Sequence, residues 1–284
     1  MNRNMFAEVK SSPWIYFVLA LGWSWLFWIP LARSGIDISK APGIIYFVLG
    51  LTGPSFSAIV LTYLVGDEQG RHDFWERLVS FTRITPRWYA IILLIAPLYS
   101  LLAIMTGLML HGALPHLDTP IRYIKNPITI IPFALKILIY GPLPEELGWR
   151  GYALDRLQRN HGALVSSIIL GGIWAIWHIP MFFIYGSVMS EVFPLWSIRF
   201  WVAMGPGILA ASIIMTWIYN NTQRSILGAI IFHFMMNFTG EFLRLPGDYK
   251  NYQFIWIIII AILIVIYSEP TKFESRNKNR PVEK

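Results

Sequence analysis

The chain has 284 residues, of which 55% are hydrophobic and only 14% are charged, and its formal net charge is +7. A soluble domain carries about 25% charged residues, so this composition excludes an ordinary soluble protein and indicates one embedded in a membrane. The sequence contains no cysteine, which excludes disulfide bonds, a thiolate nucleophile and a cysteine-ligated metal.

Eight segments are apolar enough to cross a membrane as helices, because a crossing takes about 20 mostly apolar residues. In chain order they are 13–32, 43–65, 88–110, 127–144, 162–185, 195–219, 225–243 and 252–268. The first is too long and too rich in tryptophan for a removable signal peptide, so we expect it to remain as the first helix. The sequence predicts an all-α polytopic membrane bundle in one domain, 1–268, followed by a polar tail, 269–284, that we expect to be disordered.

Prolines and charged residues refine this prediction. Four segments contain a proline and should be kinked, at Pro54, Pro97, Pro132 and Pro206.

Eight crossings place both termini on one side, and that side holds 15 Lys and Arg residues against 7 on the other. Basic residues are enriched on the cytoplasmic side, so we expect cytoplasmic termini. The stretch 66–88 mixes acidic and basic residues and predicts an amphipathic helix on anionic membrane lipids. Membrane lipids therefore account for the net charge, and we expect no nucleic-acid binding.

The candidate functional residues are polar residues inside or beside the apolar segments. They are Glu145, Glu146, Arg150, His178, His233 and Asn237. Residues four apart share a helix face, so Glu146 should face Arg150. By the same rule His233 and Asn237 should point the same way. Glu145 lies about 100° further around a helix and should face elsewhere.

Each candidate also has a purely structural interpretation. The two glutamates could cap the stretch after the fourth helix, His178 could be an interfacial or core histidine, and His233 and Asn237 could join helices. Together, however, a carboxylate pair, two histidines and an asparagine on three segments supply what water activation requires. These requirements are a base, its partner and donors for a developing oxyanion. The remaining histidines fall in predicted loops or at helix ends: His72, His111, His116 and His161.

Three short motifs carry these residues: "EELGWR" at 145–150, "WAIWH" at 174–178 and "HFMMN" at 233–237. In content, order and approximate spacing they resemble the motifs of the CAAX-prenyl-protease and bacteriocin-processing (CPBP) intramembrane proteases, also called the Abi family. The resemblance covers about 130–240. Trp174 stands where the family usually has Phe. We expect this change to narrow the cavity beside His178 and to matter little for the chemistry.

The resemblance implies that the protein hydrolyses a peptide bond inside a membrane cavity. It assigns Glu145 as the principal base and His178 as the group that helps it to activate water. It assigns His233 and Asn237 to stabilising the tetrahedral oxyanion. The residues that would brace the first motif are Glu146 and Arg150.

A metal is the main open alternative at this site. Glu145, His178 and His233 could form a two-histidine, one-glutamate zinc site with an open position for water. The soluble-protease signature H-E-x-x-H is missing from the sequence. The resembled family is often labelled metalloprotease, and a metal-free glutamate mechanism is also proposed for it. We expect the metal-free mechanism and keep zinc as the alternative.

The resemblance implies a membrane protein or a lipidated peptide as substrate and a bacterial cell membrane as location. The family also includes proteins that confer immunity to bacteriocins. Two other classes therefore remain: a non-catalytic immunity or scaffold protein, and a small-solute transporter. Transporters usually contain an internal repeat, and we find none in this sequence.

Overall fold

The computed structural model describes residues 12–192, 201 and 203–273, and every regular element in these ranges is a helix. The helices are α1 (Pro13–Ser34), α2 (Gly43–Leu51), α3 (Gly53–Val65), α4 (Glu68–Val79), α5 (Pro86–His111), α6 (Asp118–Lys125), α7 (Ile130–Ile139), α8 (Pro142–Gly148), α9 (Asp155–Gln158), α10 (Ala163–His178), α11 (Val188–Val192), α12 (Ile208–Asn221), α13 (Ile226–Leu243) and α14 (Gly247–Tyr267). Short 3₁₀ segments lie at Phe81–Arg83, Pro127–Thr129 and Ile179–Phe183, and π-helical turns at Trp149–Leu154 and Ala203–Gly207. The all-α prediction is confirmed.

Six stretches of the described chain can cross a membrane by length and composition. They are Pro13–Ser34, Pro86–His111, Pro127–Gln158, Ala163–Phe183, Ile226–Leu243 and Gly247–Tyr267. The bent pair α2 and α3 makes a seventh if it is one span. The predicted segment 195–219 begins among residues outside the described part, and its second half is α12. The eight predicted crossings are consistent with this architecture.

The break between α2 and α3 brings the third helix against the middle of the chain. The two helices meet at 46° around Thr52, next to Pro54, so the predicted kink in this segment is confirmed. A side-chain carbon placed on Gly148 would lie only 2.5 Å from the Pro54 carbonyl oxygen, and it would also collide with the Tyr16 hydroxyl. Only glycine allows this approach. The end of α8 is therefore packed directly against α1 and α3.

Buried indole groups fasten α10 to the first two helices. Trp177 Nε1 donates a hydrogen bond to Ser24 Oγ at 2.7 Å, and Ser24 Oγ donates to the Gly50 carbonyl at 2.7 Å. Trp28 Nε1 donates to the Phe47 carbonyl at 3.0 Å. Because indole N–H groups and hydroxyls lose hydration when they are buried, these partners fix how the helices pack.

The predicted amphipathic helix is α4, and one of its basic residues points into the fold. Arg77 is buried and donates to Asp155 Oδ2 at 3.0 Å and to the Tyr219 hydroxyl at 2.6 Å. It also donates to the Gly151 carbonyl at 3.2 Å. Arg77 therefore ties α4 to the π-helical turn that follows α8, and it is not available to membrane lipids.

The first residues of the predicted tail are held against the helical domain. The amide of Ala163 donates to the Thr271 carbonyl at 2.8 Å, the amide of Leu164 donates to the Pro270 carbonyl at 3.1 Å, and Phe273 is buried. The ordered domain therefore continues at least to Phe273. The rest of the predicted tail lies outside the described residues. So do several basic residues used to predict the orientation, namely Arg3, Lys10, Arg199, Arg276, Lys278, Arg280 and Lys284.

Candidate active site

The first motif lies on the short helix α8 and on the π-helical turn after it. Glu145 is 4% exposed, while Glu146 and Arg150 are fully buried. The six residues of the turn, Trp149–Leu154, are buried as well. The two glutamates therefore do not cap a solvated helix end. Single π-helical turns occur frequently at functional sites, and this one carries the arginine of the motif.

Glu146 is the centre of a buried ion group. Arg150 Nη1 lies 3.0 Å from each of the two Glu146 oxygens, as the spacing of four residues predicted. His233 Nδ1 lies 2.8 Å from Glu146 Oε1. An ionised carboxylate only accepts hydrogen bonds, so Nδ1 of His233 carries the hydrogen. Sequence spacing did not reveal this second partner, because His233 lies 87 positions further along the chain.

Glu145 faces a different set of groups. Its Oε2 accepts a hydrogen bond from Trp174 Nε1 at 2.6 Å, and both side chains are buried. Its Oε1 makes no hydrogen bond within the described part of the chain. The indole supplies a donor that a phenyl ring lacks, so the expectation that tryptophan in place of phenylalanine matters little for the chemistry is one to test.

His178 is held in one tautomer by the backbone of its own helix. Its Nδ1 lies 2.8 Å from the Trp174 carbonyl oxygen, which can only accept, so Nδ1 is the donor. In a neutral imidazole the other nitrogen, Nε2, is then a hydrogen-bond acceptor. The ring is buried between Trp174 and Trp177, with centroid distances of 5.8 Å and 4.8 Å. His178 is therefore a core histidine whose Nε2 can accept a proton or a hydrogen bond.

Asn237 and Glu145 meet beside Gly141, the residue that precedes α8. A side-chain carbon placed on Gly141 would lie 3.2 Å from Asn237 Nδ2 and 3.7 Å from Glu145 Oε1. Because glycine has no side chain, this space stays open between an amide donor and a carboxylate oxygen.

The Trp174 ring joins the remaining parts of the site. Its centroid lies 5.3 Å from that of His233, and the Arg150 guanidinium carbon lies 5.0 Å from the ring centre. Together with the contacts above, the structure brings all six candidate residues into one region. Sequence reasoning missed the roles of Trp174 and Gly141. The replacement of phenylalanine by tryptophan in the second motif was the signal for Trp174.

The three residues of the zinc alternative each make a hydrogen bond through one of their two possible ligand atoms. Among the described residues, no group of three or more His, Cys, Asp or Glu side chains is placed so that it could hold a metal ion. Of the three predicted ligands, Glu145 accepts from an indole N–H, His178 donates to a carbonyl, and His233 donates to a different glutamate. These bonds use Nδ1 of each imidazole and Oε2 of Glu145, and a histidine that binds a metal through Nε2 donates its other ring N–H in the same way. Chelation, described below, tests the metal-dependent alternative.

Known proteins are similar to this chain in the region that holds the candidate site residues. The family described as "Type II CAAX prenyl endopeptidase Rce1-like" matches residues 127–239, which contain all three motifs. The chain is also 29% identical over 273 residues to CAAX prenyl protease 2 of Methanococcus maripaludis, across 95% of this chain and 99% of that protein. Together with the apolar helices, these matches show the chain to be similar to integral membrane endopeptidases of the CAAX prenyl protease type. Both matches agree with the resemblance to the CPBP family seen in the three motifs.

The ion group leads to a prediction about stability. Arg150→Ala leaves the buried Glu146 carboxylate without its main counter-ion, and breaking a buried pair in this way costs about 3–5 kcal/mol. We expect a clearly lower melting temperature for the purified protein in detergent. Arg159→Ala, which removes an exposed arginine nearby, is the matched control and should melt like the wild type. Equal melting temperatures for the two variants would contradict a structural role for the pair.

Proposed function

We propose that this protein hydrolyses a peptide bond with a water molecule that Glu145 and His178 activate. The observation that carries the proposal is that, among the described residues, only one of the two Glu145 carboxylate oxygens is held by a hydrogen bond. Its Oε2 is held by Trp174, and its Oε1 faces the open space shared with Asn237. A buried carboxylate with one unengaged oxygen is suited to act as a general base.

In the proposed reaction, Glu145 Oε1 takes a proton from water while the water oxygen attacks the carbonyl carbon of the substrate. His178 Nε2 accepts a hydrogen bond from the other O–H group of the same water and so orients it. The protonated Glu145 then donates its proton to the amide nitrogen as the C–N bond breaks, which releases an amine and a carboxylic acid. Glu145 returns to its ionised form, so no co-reactant other than water is required.

Asn237 is the proposed donor to the tetrahedral oxyanion. Its Nδ2 lies beside the same open space, and one donor of this kind contributes about 2.7–4 kcal/mol to transition-state stabilisation. His233 can act as a second donor only as an imidazolium, because its Nδ1 hydrogen already points to Glu146. The Glu146 carboxylate stabilises that cation, and Arg150 holds Glu146 in place.

The proposed substrate is a membrane-associated protein or peptide with a lipidated C-terminal tail. The relative from Methanococcus maripaludis is named as a CAAX prenyl protease, and a CAAX tail carries its prenyl group on the cysteine. A substrate anchored by such a chain lies in the plane of the membrane, where a helical bundle can take it up. Farnesylated and unmodified versions of one CAAX peptide are the appropriate probes.

The central test separates the two neighbouring glutamates. Glu145→Gln keeps the shape of the side chain but removes its charge, so we expect kcat on the farnesylated peptide to fall by about two to four orders of magnitude. The melting temperature should change little. Glu146→Gln weakens the pair with Arg150 and should lower stability more and turnover less. The measurements are turnover and thermal unfolding of purified protein in lipid nanodiscs.

Three results would contradict this assignment. Normal turnover in Glu145→Gln would exclude Glu145 as the base. An inactive but fully stable Glu146→Gln would exchange the roles of the two glutamates. A wild-type protein that binds these peptides and cleaves none of them would favour the non-catalytic immunity or scaffold alternative.

The metal-free mechanism predicts resistance to chelation. We expect kcat to stay within about twofold of its untreated value after prolonged dialysis against EDTA and 1,10-phenanthroline, because no proposed step uses a metal. Parallel treatment of a zinc protease on its own substrate verifies that the chelators are effective. Loss of activity that added zinc restores would show that the metal-dependent alternative is correct.

We further propose that the protein lies in a cell membrane with cytoplasmic termini. Because the chain has no cysteine, single cysteines report on topology without background. His72 is 79% exposed and His111 is 41% exposed, and the two lie in loops predicted on opposite sides. An impermeant maleimide should label His111→Cys in intact cells and His72→Cys only after permeabilisation. The reverse pattern would invert the orientation.

A further inference from the structure

Trp174 contacts four of the six candidate site residues. Its indole Nε1 donates to Glu145 Oε2 at 2.6 Å, and its carbonyl accepts from His178 Nδ1 at 2.8 Å. The face of its ring lies 5.0 Å from the Arg150 guanidinium carbon, and the His233 ring meets it at 77° with a centroid distance of 5.3 Å. The side chain is only 3% exposed.

These contacts determine which atoms of Glu145 and His178 are engaged by the described part of the protein and which are not. The terminal torsion of a glutamate has a broad, roughly twofold distribution, so an unrestrained carboxylate presents either oxygen. The indole N–H engages Oε2 of Glu145 and leaves Oε1 toward the space at Gly141. The Trp174 carbonyl engages Nδ1 of His178 and leaves Nε2 as the acceptor. The indole therefore orients the Glu145 carboxylate, whereas the bond to His178 comes from the backbone carbonyl, which any residue at position 174 supplies.

We propose that Trp174 is a positioning residue, whose indole aligns the Glu145 carboxylate for the water molecule that Glu145 and His178 activate. The inference rests on the proposed function of Glu145. It goes beyond packing, because a ring of the same size without an N–H can fill the volume but cannot donate a hydrogen bond to the carboxylate.

The test uses two replacements of the indole in full-length protein in lipid nanodiscs. Trp174→Phe removes the N–H and part of the ring. A second variant carries 3-benzothienylalanine at position 174, which replaces the N–H by sulfur and keeps the size of the ring. We expect kcat on the farnesylated peptide to fall by about 10- to 100-fold in both, the range for one lost hydrogen bond to a charged group. KM should stay unchanged, because Trp174 is not proposed to contact the substrate.

The matched control is Trp28→Phe. The Trp28 indole is also fully buried, and its N–H donates to the Phe47 carbonyl at 3.0 Å, with no bond to a candidate site residue. We expect this variant to melt at a lower temperature and to keep kcat once folded. A packing role alone predicts that Trp174→Phe behaves like Trp28→Phe and that the benzothiophene variant keeps its full kcat. Either result would overturn the inference.

Combining Trp174→Phe with Glu145→Gln shows whether the tryptophan acts through the glutamate. We expect that adding Trp174→Phe lowers the residual turnover of Glu145→Gln by no more than about twofold. The effects of substitutions at two residues in contact are not additive. The full 10- to 100-fold loss in this background would overturn the inference. Normal turnover in Glu145→Gln overturns the proposed function itself, whereas wild-type kcat in both Trp174 variants beside an inactive Glu145→Gln overturns only the positioning role.

Discussion

A charged group that is buried away from water in a membrane protein needs a partner of opposite charge, and in this fold the Glu146 carboxylate is one such group. Leaving such a group alone costs several kcal/mol. Arg150, one turn further along the same segment, forms an ion pair with Glu146, and His233 of α13 lies within hydrogen-bond distance of it. If α8 and α13 separate, the ionised Glu146 loses its bond to His233 and keeps only the pair with Arg150 among the contacts of the described residues. The rest of the site is arranged around this contact.

The same short segment supplies two carboxylates with different surroundings. Glu146 is engaged on both of its oxygens, whereas Glu145 is engaged on one. This difference depends on two glycines, because Gly148 lets α8 pack against α3, and Gly141 keeps space open in front of Glu145. Adjacent residues of the same type can therefore serve as a brace and as a proposed base. Local packing, and not residue type, distinguishes them.

Sequence patterns anticipated those features that depend on one segment at a time. Hydropathy located the spans, Pro54 marked the bend between α2 and α3, and the spacing of four paired Glu146 with Arg150. Contacts between distant helices were not accessible in this way. The Trp174 indole bond to Glu145 and the inward turn of Arg77 depend on which helices become neighbours, and periodicity within a helix carries no information about that. The π-helical turn was also missed, because it reflects packing and not a local pattern.

The local nature of the Glu146–Arg150 pair has a consequence for how the chain is made. Both residues lie in the stretch Pro127–Gln158, so this segment carries its own counter-ion when it leaves the ribosome and partitions into the bilayer. A glutamate paired with His233 alone would enter the lipid unneutralised and wait until the partner, 87 residues later, had been synthesised. Charged residues at mid-membrane are costly for insertion, about 2.5–3.5 kcal/mol each for Asp, Lys or Arg. A pair within one helical turn lowers that barrier at the time when no other helix is available to help.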